Sequence, residues 1–268
     1  MTSEAISAAS KNELEARITA IGRPSPVLGG ERHWSLAARI AAARETREKW
    51  DAANPELLAE YRAVMAELER LEEAARKVRA EIEAVDRLWR AIESSGAGSR
   101  NIDALRKGLD ETAGVKAVRE FLDGGKTFLL LTGSPGVGKS LAAMAAIQRH
   151  AEQQMRSLFV RAVECSRLSM FDEEDKAFVR DMRRAPLLVL DDLGVEGLND
   201  AWRETLEDVL DYRYQERLST VMTTNLPPMA EGDKPSFRRR YGERIADRIR
   251  HDGVIAQCGN ETLRKRTP

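Results

Sequence analysis

The stretch TFLLLTGSPGVGKSLAAMAA, residues 127–146, restricts the fold more than any other part of the chain. A short apolar run bounded by threonines reads as a buried strand, the glycine-rich octet as a tight loop, and the alanine-rich run as a helix. GSPGVGKS, residues 133–140, fits the pattern G-x-x-x-x-G-K-[S/T] in full, with the strand before it and the helix after it that the pattern needs. The glycines let backbone N–H groups turn inward around phosphates, and the start of the helix adds a favourable dipole. Lys139 is then placed to reach the β- and γ-phosphates of ATP and Ser140 to hold Mg²⁺. Gly133, Ser134, Pro135, Gly136, Val137, Gly138 and Leu141 complete the cradle.

A nucleotide site of this type needs carboxylates on a second strand. LLVLDD, residues 187–192, supplies them: a buried strand ending in Asp191, a candidate Mg²⁺ ligand, and Asp192, a candidate for orienting the attacking water. Aspartate is a methylene shorter than the glutamate often found there, so hydrolysis is expected to be slow or to require assembly. TTN, residues 223–225, ends a further strand, and Asn225 is placed to contact the γ-phosphate or the lytic water. Strand-like runs recur at 127–132, 157–162, 187–190, 220–225 and 254–258 with helical patterns between them, which predicts a five-stranded parallel α/β sheet flanked by helices.

The first 97 residues have a different texture, rich in Ala, Glu and Arg. Breaks are expected at GRPSP and across PSPVLGGE, with a helix from about Trp34 to Asp51. Asn54-Pro55 is expected to cap and start a third helix reaching about Glu93. From Leu57 through Tyr61, Val64, Leu68, Leu71, Ala75, Val78, Ile82, Val85 and Trp89 to Ile92 the apolar spacing alternates four and three without a slip, the pattern of a coiled-coil seam. Leu36, Ile40, Ala43 and Trp50 share its phase, which leaves two readings open: the second helix folds back on the third as a hairpin, or the seam grips a partner or a second copy. SSGAGS, residues 94–99, reads as a linker, giving a helical partner-binding region over 1–97 and an ATPase domain over 98–268.

Charge is nearly balanced, 43 Lys+Arg against 44 Asp+Glu, so no overall basic field points to nucleic acid. The excess is local: Asp233 to Pro268 holds ten Lys/Arg against five Asp/Glu, six of the arginines within SFRRRYGERIADRIR at 236–250. Cys165 and Cys258 lie far apart without a CxxC pair, which suggests free thiols rather than zinc or a disulfide. No stretch has the length or apolarity of a signal peptide or membrane span, so a cytoplasmic protein is expected.

The order GSPGVGKS, LLVLDDLGVE, a helix ending DYRY, TVMTTNL and RYGERIADRI resembles the AAA+ ATPases of the DnaC/DnaI helicase-loader group and the related IstB transposition helpers, over about residues 98–268. The resemblance implies a P-loop AAA+ domain with ATP and Mg²⁺ as cofactors, working as an ATP-dependent homo-oligomer. Its first implication for function is a helicase loader that grips a replicative helicase, or a similar protein, through the N-terminal helices and binds DNA, single-stranded in preference to duplex. The alternative is a transposition helper assembling on duplex DNA. In that group an arginine of the GER…DR segment acts on the nucleotide of the neighbouring subunit; Arg248 matches it, Arg244 is the nearby alternative, and Arg264 falls near a second sensor position. The family's cysteine cluster is absent here, which leaves the partner's identity open.

Overall fold

The computed structural model describes residues 3–24, 35–168, 172–197, 199–229 and 235–259. Most of the expected PSPVLGGE loop, Trp34 and Arg264 lie outside the described residues. The chain divides into two compact units, Met1–Val85 and Asp86–Pro268. The expected division at residue 97 falls C-terminal to that point.

The first unit holds helix α1 (Ser3–Ile21), helix α2 (Leu36–Ala53) and most of helix α3 (Pro55–Glu93). Pro55 opens α3 as expected, but Asn54 acts on the helix before it: its side-chain amide donates to Trp50 O at 2.9 Å, while its carbonyl accepts from Leu58 N–H. Ser35 caps α2 by accepting from Ala38 N–H. Leu14 of α1 and Val64 of α3 are buried, with Lys11 Nζ donating to Glu72 Oε1 at 2.7 Å and the Arg23 guanidinium stacked 4.6 Å from the Tyr61 ring. The expected fold-back of α2 does not cover the seam: Leu36 and Ile40 are 62% and 52% exposed, and no described residue of α2 is buried. Val78, Ile82 and Val85 on α3 are exposed too.

The second unit runs through helices α4 (Ser99–Arg106) and α5 (Ala113–Gly124), strand β1 (Phe128–Thr132), helix α6 (Lys139–Glu152), strand β2 (Ser157–Arg161), helices α7 (Ala162–Cys165) and α8 (Glu173–Arg184) and strand β3 (Leu187–Leu193). It continues with helix α9 (Asp200–Gln215), strand β4 (Ser219–Thr224), helices α10 (Phe237–Tyr241) and α11 (Glu243–Asp252), and strand β5 (Gly253–Gln257). The five strands are those the sequence predicts, all parallel in the order β2-β3-β4-β1-β5.

Successive strand residues face opposite sides of the sheet, so β1 sends Phe128 and Leu130 into one core and Leu129 and Leu131 into the other. The first core is closed by α9, α10 and α11 through Trp202, Leu206, Phe237, Tyr241 and Ile249; the second by α5 and α6 through Val118, Phe121, Met144 and Ile147. Each such fully buried side chain contributes about 1.5–3 kcal/mol, which is why strands so apolar on both sides need helices on both faces.

Two polar features fix the edges. Ser95, inside the expected linker, is buried and its carbonyl accepts from Phe159 N–H at 2.7 Å, so SSGAGS covers the outer edge of β2. Arg213 on α9 is fully buried and donates to Met182 O, Ala185 O, Ser219 O and Thr220 Oγ1 over 2.6–2.9 Å. The fork thereby joins the end of α8 to the start of β4, and burial pushes its pKa down to about 9.

Candidate nucleotide-binding site

Because β3, β4 and β1 are neighbours and all parallel, their C-terminal ends lie side by side on one edge of the sheet. The three motifs each leave one of those ends. The loop after β1 reaches Gly138, which takes φ +87° as it turns into α6, and no side chain caps that helix. Only glycine adopts this backbone cheaply. A Cβ on Gly133 would lie 2.9 Å from Gly259 O and 3.2 Å from Val137 Cγ2, so loop and Val137 pack too tightly for any other residue there. Lys139 is buried and donates to Gly133 O at 2.8 Å, Ser134 O at 2.9 Å and Asn225 Oδ1 at 2.7 Å. The ammonium therefore stands between the loop and the end of β4.

Asp191 is buried, and its Oδ1 accepts from Thr223 Oγ1 at 2.7 Å. The same hydroxyl accepts from Asp192 N–H at 2.9 Å, while Thr224 Oγ1 donates to Leu193 O at 2.7 Å. These two threonine side chains take up the backbone groups freed where the β3–β4 register shifts between Leu190 and Leu193. The shift leaves Asp192 at φ +57°, a left-handed conformation that costs a non-glycine residue about 1–2 kcal/mol. Burial holds the Asp191 carboxyl above the usual carboxylate range, against the pull of Thr223 and Ser140 hydrogen bonds and of Lys139. An under-compensated buried carboxylate beside a hydroxyl fits a hard divalent cation with oxygen ligands. Ser140 and Asp191 are the residues that would hold Mg²⁺.

Lys139, Ser140, Asp191, Asp192 and Asn225 line one cavity of about 810 Å³, together with Pro135, Gly136, Gly138 and Leu141 of the loop. Its further wall, carrying Arg100, Phe159, Arg161 and Glu164, has no signature in the sequence. Val137 is buried beneath the loop.

The family model of the IstB-like ATP binding protein matches residues 60–268. The chain belongs to that family. Among curated relatives, an insertion sequence ATP-binding protein of Sinorhizobium fredii is 30% identical over 166 residues, 59% of this chain and 65% of that protein. An insertion sequence ATP-binding protein of Pseudomonas fluorescens is 33% identical over 102 residues, 37% of this chain and 44% of that protein. The IstB-like chain thus spans less than two thirds of the length of either. Solved structures similar to it include the DnaC helicase loader, 26% identical with TM-score 0.42 over 65% of this chain and 99% of that one. DnaI is 27% identical with TM-score 0.47 over 56% and 87%.

The arginines of the IstB-like chain's 236–250 segment lie away from the cavity. Arg248 on α11 is only 16% exposed and pairs with Asp211 of α9. Arg244, 66% exposed, pairs with Glu207 Oε1 at 2.8 Å and Asp211 Oδ2 at 3.1 Å. Arg238 pairs with Glu243, and Arg250 with Glu243 at 2.8 Å and Asp247 at 3.0 Å. Arg240 turns inward to Glu196. The basic stretch therefore serves acidic neighbours to a large extent. Three residues that sequence reasoning passed over hold the site in shape: Thr223 and Thr224, in view within TTN but ordinary as strand residues, and Glu196, whose partner lies 45 residues further on. Among the described residues no group of three or more His, Cys, Asp or Glu is placed to hold a metal ion, and no helix is long and apolar enough to cross a membrane. Cys165 is buried and its thiol is pushed up to about 12, whereas Cys258 is half-buried.

Proposed function

We propose that this IstB-like protein is a Mg²⁺-dependent ATP hydrolase, slow alone and activated by assembly, which assembles on duplex DNA to serve an insertion-sequence transposition reaction. The observation that carries the enzymatic part is the convergence of Lys139, Asp191, Asp192 and Asn225 on one cavity from three adjacent strand ends. Lys139 exchanges its carbonyl partners for phosphate oxygens, a charge-assisted contact about twice as strong as a neutral one. Mg²⁺, when bound, neutralises charge on the phosphates. Asp192 accepts a hydrogen bond from the attacking water, and Asn225, already tied to Lys139, positions the γ-phosphate side.

Charge developing on the γ-phosphoryl group calls for a guanidinium; Arg100 and Arg161 stand on the cavity's further wall, and Arg244 or Arg248 of a neighbouring subunit supplies the one that completes the site, worth ~10³–10⁵ in rate in well-studied cases. The choice of transposition over helicase loading is favoured by the two insertion-sequence relatives. The N-terminal helices, with their exposed apolar positions, are the part that docks a protein partner.

Turnover is measured with and without duplex DNA, alongside electron microscopy of the ATP-bound protein on that DNA. ATP-dependent assemblies with stimulated turnover are expected. A stable complex with a hexameric helicase, made without any assembly on duplex DNA, would replace transposition by helicase loading.

A further inference from the structure

The turn that follows Asp192 is held from outside the nucleotide site. Asp192 sits at φ +57°, Gly194 at φ +105° with the Leu226 side chain 3.0 Å from where a Cβ would be, and Val195 N–H reaches back to Asp192 O. A backbone so far from its preferred regions persists only if its surroundings over-determine it. The side chain of Glu196 does this. It is fully buried, and it accepts from Gly194 N–H at 2.8 Å on one oxygen and from Tyr241 Oη–H at 2.5 Å on the other. Arg240 adds its Nε 3.8 Å from the same carboxylate and donates to Glu196 O.

Tyr241 and Arg240 are the last residues of α10, and only Gly242, at φ +94°, separates them from α11 with Arg244 and Arg248. Tyr241 is itself buried and packs on Phe237, with ring centroids 4.8 Å apart. Burial, reinforced by Glu196, raises its phenol pKa, so it remains a donor.

We propose that Glu196 is a positioning residue that sets the Asp192 turn for hydrolysis, and that Tyr241 and Arg240 hold it, so that the arginine segment governs its own subunit's nucleotide site as well as the neighbour's. The proposal rests on the reading of Asp192 as the group that orients water. Its physical content is a rigid connection: when Arg244 or Arg248 leaves Glu207 and Asp211 for a neighbouring nucleotide, α11 moves, α10 moves with it across Gly242, and the Glu196 carboxylate carries the displacement to Asp192. Assembly then reports to both sides of the interface through one short stretch of chain.

The test compares wild type with Tyr241→Phe, which removes one hydroxyl and keeps the ring, and with Arg240→Lys. ATP affinity, turnover at saturating ATP and amide hydrogen exchange of residues 192–197 are measured. Affinity should stay within about twofold, turnover should fall about tenfold or more, as expected when a catalytic group is displaced rather than deleted, and exchange of the turn should quicken. Glu196→Gln should behave alike, and its combination with Tyr241→Phe should be no worse than either alone. Unchanged turnover and exchange would overturn the proposal, as would an equal loss of affinity and turnover, which marks general damage. If wild type binds ATP but never turns it over, the hydrolase reading fails on its own, and the exchange measurement decides whether Tyr241 holds the turn.

Discussion

Asp191 shows how the site is built at the cost of stability. Its pKa is raised by burial, so its contribution to folding is most favourable below the ordinary aspartate pKa and is lost as pH rises through the higher folded value. Burial thus disfavours the ionised carboxylate in the fold, a cost that a bound divalent cation would offset. Asp191→Asn keeps the acceptor for the Thr223 hydroxyl and removes the buried charge. The variant should melt about 2–4 °C above wild type at pH 7 without Mg²⁺. The gap should close as the pH falls into the aspartate range, and Mg²⁺-dependent turnover should vanish. A lower melting point than wild type would contradict the assignment. Asp191, Lys139 and Ser140 were legible in the sequence because each motif fixes its residue by spacing to a glycine or a strand end. Thr223 and Glu196 were not, because their roles depend on a register shift and on a partner helix that no local pattern announces.

Strands were the most legible elements, since a run apolar on both faces bounded by turn residues admits few other structures. The heptad helix was legible as a helix, but what covers its apolar stripe was not: Leu57, Val78, Ile82 and Val85 keep the spacing yet remain exposed in the single chain, because periodicity states that a face is apolar and not what covers it. Arg213 belongs to the same lesson from the other side. Its charge suggests a surface residue, but its five-donor fork satisfies carbonyls from α8, the β3 approach and β4 at once. Arg213→Ala would orphan those carbonyls inside the core, and urea titration should show a loss of about 3 kcal/mol or more. Arg213→Lys, with one nitrogen in place of a fork, should recover little of it. A loss below about 1 kcal/mol would mean that water replaces the guanidinium.

For the whole molecule, the question is whether the nucleotide site is complete in one chain. With Arg244 and Arg248 paired to α9 and absent from the cavity lining, a single chain lacks what those two arginines would supply across an interface. Lys139→Ala protein should not bind ATP, and an Arg244→Ala, Arg248→Ala double variant should bind it with affinity near wild type but not hydrolyse it. Equimolar mixing of the two should restore a measurable part of the turnover, because intact arginines then meet intact cradles across an interface. Full turnover by a species shown to be monomeric in sedimentation would end this account. The strand order bears on a different moment in the protein's life. β1, from which the phosphate loop springs, pairs with β4 and β5 and with no strand made before them. On the ribosome it must wait for residues 219–224 and then 253–257 to emerge, on the order of ten seconds at usual elongation rates. Until residues 219–224 emerge this strongly apolar strand lacks both neighbours, and until residues 253–257 emerge it still lacks one, so a nascent chain stalled before Gly253 is expected to be chaperone-bound and unable to take up ATP.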